Sequence, residues 1–95
     1  MFVGAGTVKI DIPYSNSLKE KRAVINSMKS RLANKFNISV AEVDMVDSRN
    51  IGVIGFSMVS IEKEYIHTAF EKFLKFINDS FDIVVLNEEF EIMKY

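Results

Sequence analysis

A chain of 95 residues with 48% hydrophobic and 26% charged residues has the composition of one compact domain, residues 1–95, and not of a multidomain, disordered or fibrous protein. The absence of cysteine excludes a disulfide framework, a zinc ribbon and a thiol nucleophile. A net charge of −1 argues against a strongly basic nucleic-acid binder. No targeting or membrane segment is visible, so we expect a cytoplasmic protein.

The first third of the chain predicts a strand followed by a helix. Apolar residues alternate with polar ones over residues 7–12, which predicts a strand over roughly residues 2–12, and Pro13 closes it because proline cannot donate to a sheet. Ser17 and Glu20 form a capping box, which predicts a helix over residues 18–35. The apolar stripe of this helix is Leu18, Ile25, Met28, Leu32 and Phe36.

The rest of the chain predicts a hairpin, a second helix and a final strand. A strand over residues 42–47 and a polar turn over 47–50 precede a strand over 51–59, which is apolar on both faces as a central strand should be. Ser60 is the predicted cap of a helix that ends near residue 80. Two β-rich runs then predict one bent or bulged strand over residues 83–93.

The resulting order, β-α-β-β-α-β, is typical of an α+β ferredoxin-like fold, with two helices on one face of a four-stranded antiparallel sheet. In that topology the first and third strands are central. The face without helices would be partly apolar, which predicts that another subunit covers it and that the protein is a homo-oligomer, such as a homodimer.

The first helix is basic on an otherwise acidic chain. Residues 17–35 carry six bases and one acid, for a charge of +5. Lys19, Arg22, Asn26 and Lys29 lie along one side of this helix, where a row of cations could bind phosphate groups. The alternative is a solvated flank whose lysine stems cover the edge of the core.

Lys21 falls within the apolar stripe of the same helix. Its ammonium group must therefore extend to the surface or meet a carboxylate, and a structural ion pair is favoured over catalysis. Asp11 is the first candidate partner because the first strand leads into this helix. Asp44 and Asp47 are the next candidates.

A second group of charged residues lies near the predicted hairpin. Glu42 and Asp44 share a parity, with Asp47 close by, so the three carboxylates could bind Mg²⁺ or perform acid-base chemistry. The alternative is an edge strand that its charges keep in water. His67 is the single histidine and is expected at the surface. We predict no cofactor and no metal.

Two stretches and one capping residue carry a resemblance to a known family. Ser-Leu-Lys-Glu-Lys-Arg at residues 17–22, Phe-Asn-Ile-Ser-Val-Ala-Glu-Val-Asp at residues 36–44, and Ser60 before the second helix resemble the YlxP-like family, a bacterial domain of unknown function. The resemblance implies a ferredoxin-like fold in the bacterial cytoplasm. Some relatives are labelled probable ribosome-binding factors, and that label rests on the genes found beside them. The resemblance therefore implies the ribosome as a partner but implies no enzymatic activity.

The chain departs from that family in the hairpin. Relatives commonly read His-Gln-Asp-x-Trp-Gln where this chain has Met-Val-Asp-Ser-Arg-Asn at residues 45–50. Arg49 keeps a planar cation at this point but supplies no aromatic ring.

The leading hypothesis is a non-enzymatic protein that binds RNA or the ribosome through its first helix. Lys19, Arg22 and Lys29 would contact phosphates, and Arg49 would join them from the hairpin. The alternative is a small oligomeric interaction or ligand-sensing module that uses the open sheet face. An enzyme ranks third, because it would depend only on the three carboxylates near the hairpin.

Overall fold

Four strands form one antiparallel sheet in the computed structural model, which describes all residues 1–95. The sheet order is β2-β3-β1-β4, so β1 and β3 are central, and the predicted ferredoxin-like α+β fold is confirmed. The elements are β1 (Phe2–Asp11), α1 (Leu18–Lys35), β2 (Ser39–Asp44), β3 (Ile51–Ser60), α2 (Lys63–Ser80) and β4 (Val84–Lys94).

The start of α1 matches its sequence signature. The Ser17 hydroxyl accepts the N–H of Glu20 at 3.1 Å, and the Glu20 carboxylate accepts the N–H of Asn16 at 3.3 Å. The carboxylate thus reaches the residue before the cap instead of the cap itself. At the other end, Phe36 is the C-cap and Asn37 has a φ of 38°, a left-handed conformation that commonly ends a helix.

Two predicted boundaries are wrong. β2 begins at Ser39 and ends at Asp44, earlier than predicted, because Met45 adopts a positive φ of 57° and accepts the N–H of Ser48 in a turn. Helix α2 begins at Lys63 and not directly after Ser60. The Ser60 hydroxyl instead accepts the N–H of Glu62 at 3.1 Å, in a turn that precedes the helix.

One apolar cluster joins both helices to the same face of the sheet. Phe70 and Phe90 stack with their ring centroids 3.9 Å apart, and Phe56 lies 4.4 Å from Phe73. Leu18, predicted on the buried stripe of α1, is only half-buried at the end of the helix. The buried members of the cluster are Val8, Ile10, Ile12, Ile25, Met28, Leu32, Ile54, Phe56, Phe70, Phe73 and Ile77.

The final strand is bulged, as predicted. Lys9 of β1 pairs with Asn87 of β4, whereas the next residue, Ile10, pairs with Val85. Leu86 is therefore the extra residue on β4. The bulge lets a strand of 11 residues follow the twist of β1 along its whole length.

Gly6 is a position where the central strand has no room for a side chain. A Cβ there would collide with the carbonyl oxygen of Glu89 and lie 2.9 Å from Cζ of Phe56. We predict that Gly6→Ala lowers the free energy of unfolding by about 2 kcal/mol, as overpacking does in other cores. Chemical denaturation measures the loss. The control is Ser57→Ala on the open sheet face, expected to stay within about 0.5 kcal/mol of the wild type, and equal stability of the two variants would contradict this packing.

Candidate nucleic-acid interface

Lys21 is a buried cation in the core-facing stripe of α1. Its side chain is 1% exposed, and Nζ lies 2.9 Å from Oε2 of Glu42 and 2.5 Å from the carbonyl oxygen of Met45. The predicted structural ion pair is confirmed, but the predicted partners Asp11, Asp44 and Asp47 are wrong. The contact joins α1 to β2 and to the turn that follows it.

A β-bulge explains why Glu42 is the partner. Glu42 pairs with Ile54, on the helix-covered face of the sheet, whereas Asp44 pairs with Val53, on the open face, because the register shifts between them. Asp11 is occupied elsewhere, since its Oδ1 accepts a hydrogen bond of 2.9 Å from the Asn50 amide. The alternation of Val40 and Glu42 toward the core is the sequence signal that could have identified this partner.

Gly52 lies beneath α1 beside the pair. A Cβ at this position would lie 3.1 Å from Cδ1 of Ile25 and would make ordinary contacts with Cε of Lys21 and Oε2 of Glu42. The Oε2 atom is buried, and its neighbour across the ion pair is the Lys21 ammonium. Removing Glu42 leaves the ammonium buried without a counter-charge, whereas removing Lys21 leaves a carboxylate that is 15% exposed.

The same bulge separates the three carboxylates that the sequence grouped together. Glu42 points to the core side and is paired with Lys21. Asp44 is exposed, and its Oδ1 accepts the N–H of Met45 at 2.7 Å. Nowhere in the chain do three or more His, Cys, Asp or Glu side chains come together in a group that could hold a metal ion. The shared parity of Glu42 and Asp44 therefore does not place their side chains on one face of the sheet.

Two more cations of α1 lie over aromatic rings beside α2. The guanidinium carbon of Arg31 is 4.6 Å from the ring centre of Phe81 and 5.5 Å from that of Phe76. Nζ of Lys35 is 5.0 Å from the ring centre of Phe76. These cations contribute to the contact between the two helices, because a cation over a ring face is attracted by its quadrupole.

The remaining cations of α1 are Lys19, Arg22 and Lys29. Lys19 and Arg22 are exposed, Lys29 is half-buried, and none of the three forms an ion pair. Arg22 lies about 180° around the helix from Arg31, so these residues occupy the flank opposite the aromatic contact. Arg22 and Lys29 are separated by about 10 Å along the axis.

Arg49 is placed beside the start of α1 by a buried serine. Ser15 is 6% exposed, and its hydroxyl donates to the carbonyl oxygen of Arg49 at 2.6 Å. The N–H of Ile12 also donates to the carbonyl oxygen of Asn50 at 2.8 Å. Ser15 lies two residues before the N-cap, Ser17, so its hydrogen bond holds the β2–β3 turn beside the start of α1. Arg49 is thereby brought to the same end of the helix as Lys19. Sequence reasoning missed Ser15.

We call Lys19, Arg22, Lys29 and Arg49 the α1–turn surface. The positive end of the helix dipole adds to its charge near Lys19. Glu20 lies about 160° around the helix from Arg22 and accepts the N–H of Asn16, so its carboxylate does not neutralise this flank. The arrangement can contact negatively charged groups over roughly three turns of helix.

The other candidate groups have structural or solvent-facing positions. His67 is exposed, and its Nδ1 lies 3.2 Å from Oε1 of Glu71 one helical turn away, which confirms the predicted surface histidine. Neither helix combines the length and the apolar character that a membrane crossing requires.

Comparison with known proteins identifies the family. A family model described as "Protein of unknown function (DUF503)" matches residues 3–90. The chain belongs to the DUF503 family. This DUF503 protein is also 37% identical over 67 residues to the "Uncharacterized protein YlxP" of Bacillus subtilis (strain 168), a match that covers 70% of this chain and 72% of that protein. The predicted YlxP-like membership is confirmed.

One solved structure shares the fold of this DUF503 protein. It is a crystal structure described as a "Putative Chlorite dismutase", with a TM-score of 0.54 and 10% sequence identity. The match covers 97% of the DUF503 chain, which spans 44% of the length of that protein. At this identity the likeness shows a common fold alone.

The buried pair predicts a strong energetic coupling between α1 and β2. We expect Lys21→Ala and Glu42→Ala each to lower the free energy of unfolding by about 3 kcal/mol, because each breaks an ion pair that is largely removed from water. The double variant should lose clearly less than the sum of the two. Chemical denaturation of all three proteins gives the coupling energy, and strictly additive losses would show that the two groups do not interact.

Proposed function

We propose that this protein is a non-enzymatic RNA-binding protein that docks on the ribosome or on structured RNA through the α1–turn surface. The observation that supports this proposal most is the division of the cations of α1. Lys21 is buried in an ion pair, and Arg31 and Lys35 lie over aromatic rings, whereas Lys19, Arg22 and Lys29 contact neither a counter-charge nor a ring. Packing of α1 against the rest of the protein therefore does not account for Lys19, Arg22 and Lys29.

The charge distribution favours one orientation of a polyanion. The chain has a net charge of −1, although residues 17–35 carry +5, so the remainder is acidic. Glu88, Glu89 and Glu91 are exposed on β4, the edge strand farthest from β2. A phosphate backbone would be repelled by that edge and attracted by the α1–turn surface.

The residue types favour contacts with phosphates over reading of bases. Lysine offers a mobile point charge, and the arginine fork can hold two oxygens of one phosphate. The α1–turn surface carries no aromatic ring on which a base could stack, because its four residues are lysines and arginines. Recognition would therefore depend on the shape and charge of the RNA, and binding would weaken steeply with salt.

Binding of a fluorescent ribosomal RNA helix, measured by anisotropy over a series of KCl concentrations, tests the proposal. We expect the variant Lys19→Glu/Arg22→Glu/Lys29→Glu to bind more weakly. The slope of log affinity against log salt should fall by about 2 to 3, because each phosphate contact contributes about 0.7 to 0.9. Co-sedimentation with ribosomal particles should decrease in parallel.

A control variant with the same change in net charge distinguishes an effect of the α1–turn surface from an effect of the protein's net charge. Lys63, Lys75 and Lys94 are exposed and lie outside the α1–turn surface, and reversing all three should leave most of the affinity and slope intact. Loss of binding equal to that of the first variant would mean that only net charge matters. Absence of binding by the wild type at low salt would refute the proposal.

A second candidate function is an oligomeric interaction or ligand-sensing module built on the open sheet face. Val3 faces Val59 and Met93 on the neighbouring strands, and the side chains of Val59 and Met93 are 60% and 47% exposed. These three residues form an apolar row across the sheet. Beside it, the open face has a shallow depression of about 750 Å³ that is lined mainly by small residues such as Ala5 and Gly55. A second copy of the chain could cover this apolar surface.

Sedimentation velocity tests this second candidate. The wild type should associate at micromolar concentration, and Val59→Glu should be a monomer, because it places a charge within the apolar row. The matched control is Val46→Glu in the hairpin turn, where valine is also half-exposed. A wild-type monomer at micromolar concentration would remove this candidate.

A further inference from the structure

A cleft of about 480 Å³ lies between the C-terminal end of α1 and the outer side of α2. It is at the opposite end of α1 from Arg49 and shares no residue with the α1–turn surface. Its volume falls within the range of about 300 to 1,000 Å³ that is typical of small-molecule sites. Its lining combines Lys35, Phe36, Asn37, Tyr65, Thr68 and Lys72 with apolar residues of β3.

The cleft carries positive charge and has no carboxylate that would neutralise it. Lys35 of α1 and Lys72 of α2 both line it, no carboxylate does, and neither lysine forms an ion pair. Lys75, the next lysine along α2, is by contrast paired with Asp79 at 3.5 Å. Two unpaired ammonium groups that converge from separate helices would stabilise an anion between them.

Polar groups of the cleft are also unused inside the molecule. The side chains of Asn37, Thr68 and Tyr65 make no hydrogen bond within the chain. Asn37 holds a positive φ of 38° and makes no backbone N–H hydrogen bond, so this donor is available as well. An anion held by the lysines could accept hydrogen bonds from these groups.

The remaining wall of the cleft suits a flat ring. Tyr65, which is 61% exposed, and Phe36, which is half-buried, both line the cleft together with Met58 and Val59 of β3. A tyrosine ring offers a large, rigid surface on which another ring can pack. Aromatic surfaces of this kind stack on nucleobases without regard to base identity.

We infer that the cleft binds a nucleoside phosphate. The phosphate group lies between Lys35 and Lys72 and the base packs against Tyr65. Asn37 and Thr68 donate to phosphate or sugar oxygens. This inference does not depend on the α1–turn surface, because the two sites share no side chain.

NMR titration of the ¹⁵N-labelled protein with AMP, inorganic phosphate and adenosine tests each part of the ligand. AMP should shift the amides of Asn37 and Thr68 in a saturable way and bind at least tenfold more tightly than either fragment. Phosphate alone binding as tightly as AMP would overturn the nucleoside part of the inference. Adenosine binding as tightly as AMP would overturn the role of the lysines.

Variants locate the site and separate it from the proposed RNA surface. Lys72→Ala and Tyr65→Ala should each weaken AMP binding at least fivefold, whereas Lys75→Ala on the same helix should not change it. Lys72 and Tyr65 are exposed, so their replacement should leave the fold intact, which thermal unfolding checks. The Lys19→Glu/Arg22→Glu/Lys29→Glu protein should bind AMP normally. Equal weakening by Lys75→Ala, or no saturable shift with AMP, would overturn the site.

Discussion

The ion pair between Lys21 and Glu42 is the constraint on which the position of α1 depends. A lysine in the buried stripe of a helix is unfavourable unless a counter-charge meets it, and here the counter-charge comes from an edge strand through a bulge. The ammonium also binds the carbonyl oxygen of Met45, so helix, strand and turn are joined at one atom.

Fixing α1 in this way decides which of its cations face solvent. With Lys21 turned to the sheet, Arg31 reaches the rings of Phe76 and Phe81 on one flank, and Arg22 and Lys29 lie on the other. The turn after β2 is held by the same ion pair and by Ser15, which places Arg49 near the start of the helix. A single buried contact thereby organises the surface to which we assign RNA binding.

Sequence patterns predicted the fold because its main elements have local signatures. The two-sided apolarity of residues 51–59 indicated a central strand, and the capping box at Ser17 located the start of α1. The pattern also showed that Lys21 needed a partner. It did not identify Glu42, because a bulge changes which residues share a face and leaves little trace in the sequence.

The cleft between α1 and α2 was likewise outside the reach of sequence reasoning. Lys35 and Lys72 are far apart in the chain and converge only because α1 ends beside the middle of α2. Each lysine alone has the pattern of a solvated helix flank. The role of Ser15 was missed for a related reason, because the carbonyl oxygen to which it donates belongs to a turn more than 30 residues away in the chain.

The most direct measurement is an amide map of the ¹⁵N-labelled protein bound to a ribosomal RNA helix. If α1 carries the interaction, broadening and shifts will concentrate on the outward residues between 19 and 29 and on the turn at 48–50. The open-face residues of β1 and β3 will then be unaffected. Perturbation centred on Val3, Val53 and Val59, with an unchanged α1, would contradict the assignment and move the working surface to the sheet.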